Sequence, residues 1–352
     1  LLLALPAAWV EPVLADLRPI LRPGDVLIDA GSAAFMDTER RVRDLAAEGV
    51  HFIGMGVSGS PRDVLWGPSL VAGGSLEGWR RVEPLFQSIA ATNAGGQPCA
   101  LWMGGGGAGH FAKMVHNGIE YGAMQLVAEV YDLLRRGAGM TSTELAGVFR
   151  QWNAGALQSY FMEVTAGILA RPDEENGGPL VEKIVEAVVG QGTGAAVAHA
   201  ALELGMPIPT ILAGLESRFL SALQPEREAA SAKLGQAHTY PDDPGRLVAA
   251  AKAALYASFI CLYAQAFSLL ARASAEYDWD MPLAAAARVW RQGSILRAAL
   301  LDDAVAAFER QPDLPNLLLD EAHAQAVLAR EAAWREAVSA AAQMGIPMLA
   351  LG

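Results

Sequence analysis

Cysteine is nearly absent: Cys99 and Cys261 are the only two in 352 residues. Two thiols cannot build a disulfide framework, so the fold must rest on its core, and the count fits a reducing, cytoplasmic setting. Charge is scarce as well. Asp, Glu, Lys and Arg together make up 18% of the chain, and the net charge of -12 comes with no basic cluster. That excludes the electrostatic footprint of a nucleic-acid binder. A membrane span is equally hard to find. One uncharged run, 253–271, reaches spanning length, but Tyr256, Ser258, Tyr263, Gln265 and Ser268 interrupt it and no second run follows. It reads as a buried helix, and no membrane partner is expected. The opening LLLALPAAW is similar to the apolar part of a signal peptide but lacks a basic flank, and no methionine starts the chain. It reads as a buried strand of a domain already under way. What the sequence has in quantity is apolar residues, 53%, enough for two domains and a large core.

Residues 1 to about 105 alternate between short apolar runs and amphipathic stretches. LLLAL, VLIDAG, VHFIGMGVSG, PSLVAGG and CALWMGG predict strands. VEPVLADLRPILRPG predicts a helix closing on Pro-Gly, DTERRVRDLAAEG a helix capped by Asp37, and SLEGWRRVEPLFQSIA a helix capped by Ser75. Such alternation means a parallel α/β sheet. Ligands on such sheets bind at the carboxyl ends of strands, here the small residues at 30–32 and 57–60. From Ala108 onward no strand pattern is convincing, and Ala, Leu, Glu and Arg dominate. The expected domains are therefore 1–106, α/β, and 107–352, all helical. So much alanine-rich helix offers a subunit interface as well as a core.

The stretch 104–137 opens on a glycine run and closes on Arg135, Arg136 and Gly137, which predicts one long helix. Lys113, His116, Asn117, Glu120 and Tyr121 stand at i, i+3, i+4, i+7 and i+8, on one face. A base, an imidazole, an amide, an acid and a phenol on one rigid element can bind and protonate a small polar substrate. The alternative is a solvated face with a Lys/Glu pair, but such a face seldom carries His, Asn and Tyr together. To act as a base Lys113 must be neutral, and desolvation among apolar neighbours favours that. The glycine-rich 190–194 is either an anion site opening a helix or a plain interhelical turn. Arg218, in the mostly apolar GLESRFLSAL, needs a partner.

GDVLIDAGS, GVSGSPRDVLWGPSLVAGG, GAGHFAKMVHNGIEYGAMQL, ALYASFICLYAQAFSLL and WRQGSILR resemble, in order and spacing, segments of the 6-phosphogluconate dehydrogenases. The resemblance covers essentially the whole chain. It implies a partial Rossmann-like domain followed by the large helical domain of that family, and a homodimer. It implies oxidative decarboxylation of 6-phosphogluconate to ribulose 5-phosphate with reduction of NADP, NAD being left open, and no metal. Lys113 matches the family's general base and Glu120 its acid. His116 and Asn117 match ligands of the substrate hydroxyls, Ser58 and Gly59 the substrate loop, and Tyr121, Thr193 and Arg218 phosphate ligands.

Departures accompany the matches. Ser32 stands where the family has asparagine, Ser60 where it has a third loop glycine, and Gln191 where it has a phosphate-binding lysine. Losing that charge-assisted contact would cost about 1.5–3 kcal/mol. Leu5, Pro6 and Ala7 replace a cofactor-contacting Lys-Ala-Gly. The family's GxGxxG turn and its C-terminal tail are not in the sequence, so the chain by itself is expected not to transfer hydride. These departures keep a second reading in view, a catalytically inactive sugar-phosphate-binding scaffold, while the unbroken Lys113–Glu120 spacing favours the enzyme.

Overall fold

The computed structural model describes the chain apart from residues 60–64, 176, 186–191, 236–237 and 239. Its first third is one sheet with strands in sequence order: β1 (Leu2–Leu3), β2 (Val26–Asp29), β3 (His51–Ser58), β4 (Ser69–Gly74) and β5 (Ala100–Gly104). β1, β2 and β3 run parallel, as do β4 and β5. β3 and β4 are antiparallel, with Ser58 opposite Ser69. The wholly parallel expectation fails at this one joint for a simple reason. Only residues 59–68 connect the two strands, fewer than the dozen or more a parallel crossover needs.

Consecutive residues of the inner strands feed opposite faces, as the period of two requires. Leu27 and Phe52 pack with Val10, Leu14 and Leu45 of α1 (Ala7–Leu17) and α2 (Phe35–Ala46). Ile28 and Ile53 pack with Trp79 and Phe86 of α3 (Leu76–Ile89). Ser75 caps α3 by accepting from Gly78 N at 3.1 Å. Asp37 does not cap α2. Ala34 holds that position because Phe35 is already helical and buried, and Asp37 sits in the first turn, where its charge still meets the helix dipole favourably. α1 stops earlier than the Pro-Gly signal suggested. Residues Arg18–Ile20 tighten into a single 3-10 turn, since Pro19 has no N–H with which to continue the helical ladder.

Helix α4 (Ala108–Asp132) joins the two halves. A Cβ on Gly109 would lie 2.3 Å from the Gly54 carbonyl oxygen and 2.5 Å from Gly73 N, and one on Gly56 would lie 2.4 Å from Lys113 Cβ. Helix backbone therefore rests directly on strand backbone, and Lys113 comes to lie over β3. Gly107, at the start of α4, has no side chain with which to cap it. Glu39 of α2 supplies the missing acceptor, taking Gly107 N at 2.7 Å and Trp279 Nε1 at 3.2 Å.

Beyond α4 come α5 (Ser142–Asn153), α6 (Tyr160–Ala170), α7 (Thr193–Glu203), α8 (Pro209–Ala222), α9 (Gln224–Leu234), α10 (Pro244–Glu276), α11 (Leu283–Val289), α12 (Leu300–Arg310), α13 (Glu321–Leu328) and α14 (Glu331–Met344). The apolar run at 253–271 lies inside α10, in the middle of the helical core. Three of its polar groups find partners there: Gln265 exchanges two hydrogen bonds with Thr210, Tyr263 donates to Leu296 O, and Ser268 to Pro315 O, while the buried Ser258 hydroxyl has none among the described residues.

Asp320 caps α13, accepting from His323 N at 3.2 Å and from His323 Nδ1 at 2.8 Å, and pairs with Arg310. Burial pushes this carboxyl up, but the bonds from His323 and Arg310 outweigh it and bring it from 3.8 down to about 2. A carboxylate depressed in the folded state stabilises fully above its ordinary pKa, and the stabilisation is lost as pH falls through the folded value. Asp320→Asn is therefore expected to lower Tm at neutral pH, with the gap from the parent closing between about pH 4 and pH 2. Thermal melts across that range test this. A gap that does not change with pH would show that the charge contributes nothing.

Candidate active site

The polar face of α4 is not solvated. His116 is fully buried, Tyr121 nearly so, and the Glu120 side chain is 21% exposed. Lys113 Nζ donates to Ser58 Oγ at 3.0 Å and lies 3.3 Å from His116 Nδ1. The same ring nitrogen is 3.0 Å from Glu120 Oε1 and 3.3 Å from Asn117 Oδ1. Lys113 and Glu120 are separated by roughly 10 Å of helix rise, yet both reach one imidazole nitrogen. Across the ring, His116 Nε2 is 2.7 Å from Ser294 Oγ, and the Trp290 ring packs against it edge-on at 5.7 Å.

Burial pushes the Lys113 amine well down from its ordinary value, against the opposing pull of Glu120. Burial likewise lowers His116, and the neighbouring Lys113 lowers it further, while Glu120 and Asn117 work the other way. The result is a lysine primed to be a free base beside a neutral imidazole.

A cleft of about 530 Å³ runs past this cluster. One wall is the turn after β2: Gly31, Ser32, Ala33 and Ala34. The other is Lys113, Met114 and Asn117 of α4, with Thr193, Ala196, His199 and Glu203 of α7 across from it. Gly31 N donates to Asp29 Oδ1 at 3.0 Å, which shapes the turn, and a Cβ on Gly31 would lie 2.5 Å from the Leu5 carbonyl oxygen. Ala7 also lines the cleft. Leu5 and Pro6 do not: the Leu5 side chain packs into the core under α1, and Pro6 precedes that helix. Small residues with open backbone facing a free-base lysine suit a flat dinucleotide head, so the β2 end of the cleft fits a nicotinamide cofactor.

Arg218 lies over the Tyr121 ring, 4.0 Å from its centroid. That ring is the partner the sequence asked for, and no carboxylate pairs with Arg218 among the described residues. Thr193 opens α7, and the next residue, Gly194, sits so close to Tyr121 that a Cβ would lie 3.0 Å from its ring. Thr193, Tyr121 and Arg218 thus gather at one end of the cluster, roughly 12 Å of helix rise from Lys113. Gly59 lies just past Ser58 with φ +128, a conformation glycine tolerates. Ser60 and Gln191 lie outside the described residues. Nothing in the residue pattern points to Ser294, because its partner is 178 positions away and a lone serine in WRQGSILR has no spacing to betray it. His110, 2.7 Å from Thr38 Oγ1, is a second cleft residue that pattern alone passes over.

Comparison with known proteins decides which family builds such a site. The 6-phosphogluconate dehydrogenase C-terminal domain matches residues 109–352, and the NAD binding domain of 6-phosphogluconate dehydrogenase matches residues 2–104. The chain belongs to the 6-phosphogluconate dehydrogenase family. A decarboxylating 6-phosphogluconate dehydrogenase of Synechocystis is 44% identical over 341 residues, 96% of this chain and 71% of that one. An NADP(+)-dependent, decarboxylating enzyme of Bacillus subtilis is 42% identical over 340 residues, covering 96% and 72%. Among solved structures, 6-phosphogluconate dehydrogenase of Plasmodium falciparum, studied in its apo form and with NADP+ and 6-phosphogluconate, superposes with a TM-score of 0.96 at 32% identity. That match covers 99% of this chain and 76% of the other. The Rossmann-like sheet and the large helical domain expected from the resemblance are both present.

The electrostatics of this dehydrogenase cluster can be tested without turnover. In Lys113→Met the amine 3.3 Å from His116, which pushes the imidazole down, is gone while Glu120 remains at 3.0 Å. His116 should then titrate at higher pH than in the parent, followed by histidine NMR. An unchanged or lower midpoint would mean that lysine and imidazole do not interact.

Proposed function

We propose that the site this chain builds serves oxidative decarboxylation of 6-phospho-D-gluconate to D-ribulose 5-phosphate with NADP as the cofactor, in the pentose phosphate pathway. The observation that carries this reading is the convergence of Lys113, Asn117 and Glu120 on one buried imidazole beside the cleft. Bound NADP supplies the hydride acceptor. Lys113, as free amine, takes the proton from the C3 hydroxyl, so that C3 becomes a ketone as its hydride leaves. The bond between C1 and C2 of the resulting 3-keto acid then breaks, carbon dioxide departs and the electron pair stays on C2. Lys113, now an ammonium, returns its proton to the C3 oxygen, giving the enediol. Glu120 protonates the former C2 carbon while Lys113 takes back the proton of the C3 hydroxyl, which gives the ketose.

The remaining residues bind and orient. Ser58, Gly59, Ser60, His116 and Asn117 serve the sugar hydroxyls and carboxylate, with Ser32 between substrate and cofactor. Ala7 and Ser32 face the cofactor directly, and Leu5 and Pro6 act through backbone. Tyr121, Thr193, Arg218 and Gln191 take the phosphate, the guanidinium being the charged contact. The two expected domains share the work: 1–106 takes the cofactor and lends Ser58, Gly59 and Ser60 to the substrate, and 107–352 supplies the other substrate contacts. Phe219, Leu220 and Leu223 on α8 and its end, with Leu202 on α7, are all more than 45% exposed. Such a surface suits the homodimer, and two free cysteines suit the cytoplasm.

In a chain that also carries the family's dinucleotide turn and tail, Lys113→Ala is expected to abolish NADP reduction, followed by absorbance, while 6-phosphogluconate binding by calorimetry stays within tenfold. Activity surviving within tenfold, a barrier change of only about 1.4 kcal/mol, would overturn the assignment of the base. Light scattering should report a dimer, and monomer alone at high micromolar concentration would contradict the interface.

A further inference from the structure

Ser294 reaches the cluster from the far side of the molecule. It lies on the loop after α11, and that loop is fastened to the first residue of β4. Ser69 N donates to Gly293 O at 2.8 Å and Ser69 Oγ to Val289 O at 2.8 Å. Gly293 adopts φ +63, and a Cβ there would lie 2.6 Å from Ser69 N, so loop and strand touch backbone to backbone. Ser69 is also the register partner of Ser58, the residue that touches Lys113. One rung of the sheet thus holds both the lysine's hydroxyl partner and the loop that carries Ser294.

The hydrogen inventory at Ser294 has one satisfied solution. Its Oγ accepts from Leu296 N at 3.1 Å, and both Ser294 and His116 are fully buried. The hydroxyl proton has one acceptor within reach among the described residues, His116 Nε2 at 2.7 Å. A buried hydroxyl that withholds its proton loses a hydrogen bond it cannot recover from water. Nε2 is therefore the unprotonated nitrogen, and the ring proton sits on Nδ1. That side of the ring agrees: Nδ1 faces the oxygens of Glu120 and Asn117, both acceptors. An N–H pointing into this corner opposes an ammonium on Lys113, 3.3 Å away, and tolerates the neutral amine.

We propose that Ser294 is a positioning residue that locks His116 in its Nδ1–H tautomer and thereby holds Lys113 as the free base. The charged groups acting on His116 are Lys113 and Glu120, both on α4. β3 contributes the Ser58 hydroxyl and the loop after α11 contributes Trp290 and Ser294. Arg291 on that loop is turned away to Ala298 O and Asp302, and Arg218 of α8 is engaged with Tyr121. Without the serine hydroxyl the ring can reverse its tautomer. Nδ1 then accepts from a Lys113 ammonium, which stabilises the wrong protonation state of the base.

The kinetic part of this inference rests on the proposed activity, and the tautomer does not, so failures of the two can be told apart. Nitrogen NMR on the ligand-free protein, with His116 assigned from the signals lost in His116→Gln, should show a protonated Nδ1 and a bare Nε2 in the parent. Ser294→Ala should populate the reverse tautomer, and Ser294→Cys, whose thiol is a weak donor of similar size, should fall between. In turnover, Ser294→Ala should lower kcat roughly ten- to a hundredfold with KM little changed. The acid limb of kcat/KM should move to higher pH, because the lysine now loses its proton later. A parent protein with the proton on Nε2 overturns the proposal, and so does a folded Ser294→Ala with unaltered tautomer and pH profile. Should Ser294→Ala fail to fold, the parent's tautomer and the Ser294→Cys profile still decide.

Discussion

The rest of the structure depends on one contact, the backbone of α4 lying on the backbones of β3 and β4. Gly109 makes it, meeting the Gly54 carbonyl oxygen and Gly73 N backbone to backbone. A helix this close delivers Lys113 to Ser58 without a long or flexible reach, which is what a proton acceptor with a defined geometry needs. The same contact explains why the sheet and the helical half share one core. Val71, Cys99 and Met103 of the sheet region belong to the cluster that also holds Phe111, Val115 and Ile119 of α4 and the interior of α10. The α4 N-terminus is fixed across that junction by Glu39, so the helix cannot slide along the sheet without breaking that hydrogen bond.

On this foundation the helix supports a cluster of groups that would be costly to bury singly. Lysine and glutamate meet at one imidazole nitrogen and pull the histidine in opposite senses, the amine down and the carboxylate up. The arrangement is stable because every member has a polar partner. It is reactive because burial disfavours the charged form of the lysine while the carboxylate keeps contact with solvent.

The far half of α4 uses burial for a structural end. Glu129 accepts from Ala350 N and Leu351 N at 2.9 Å each, tying residues more than two hundred positions away to the catalytic helix. Burial pushes this carboxyl up, and Gln125 and the backbone amides of 349–351 pull against it. One helix thus carries chemistry on its first turns and an anchor on its last.

Local signals in the sequence were enough for the long helix after the glycine run, whose last residues Leu133–Gly137 loosen into a π-turn, the Ser75 cap, the strand–helix alternation and the common face of Lys113, His116, Asn117, Glu120 and Tyr121. Each depends on residues within a few positions of one another, where the period of the backbone links sequence to geometry. Tertiary structure alone decided three things. β4 runs antiparallel because its connection is short. Arg218 found a ring rather than a carboxylate. The imidazole at the centre of the cluster is held by Ser294. These pairings join residues brought together only by the packing of helices on the sheet, and hydrogen bonds between positions so far apart leave no periodicity for a sequence to display.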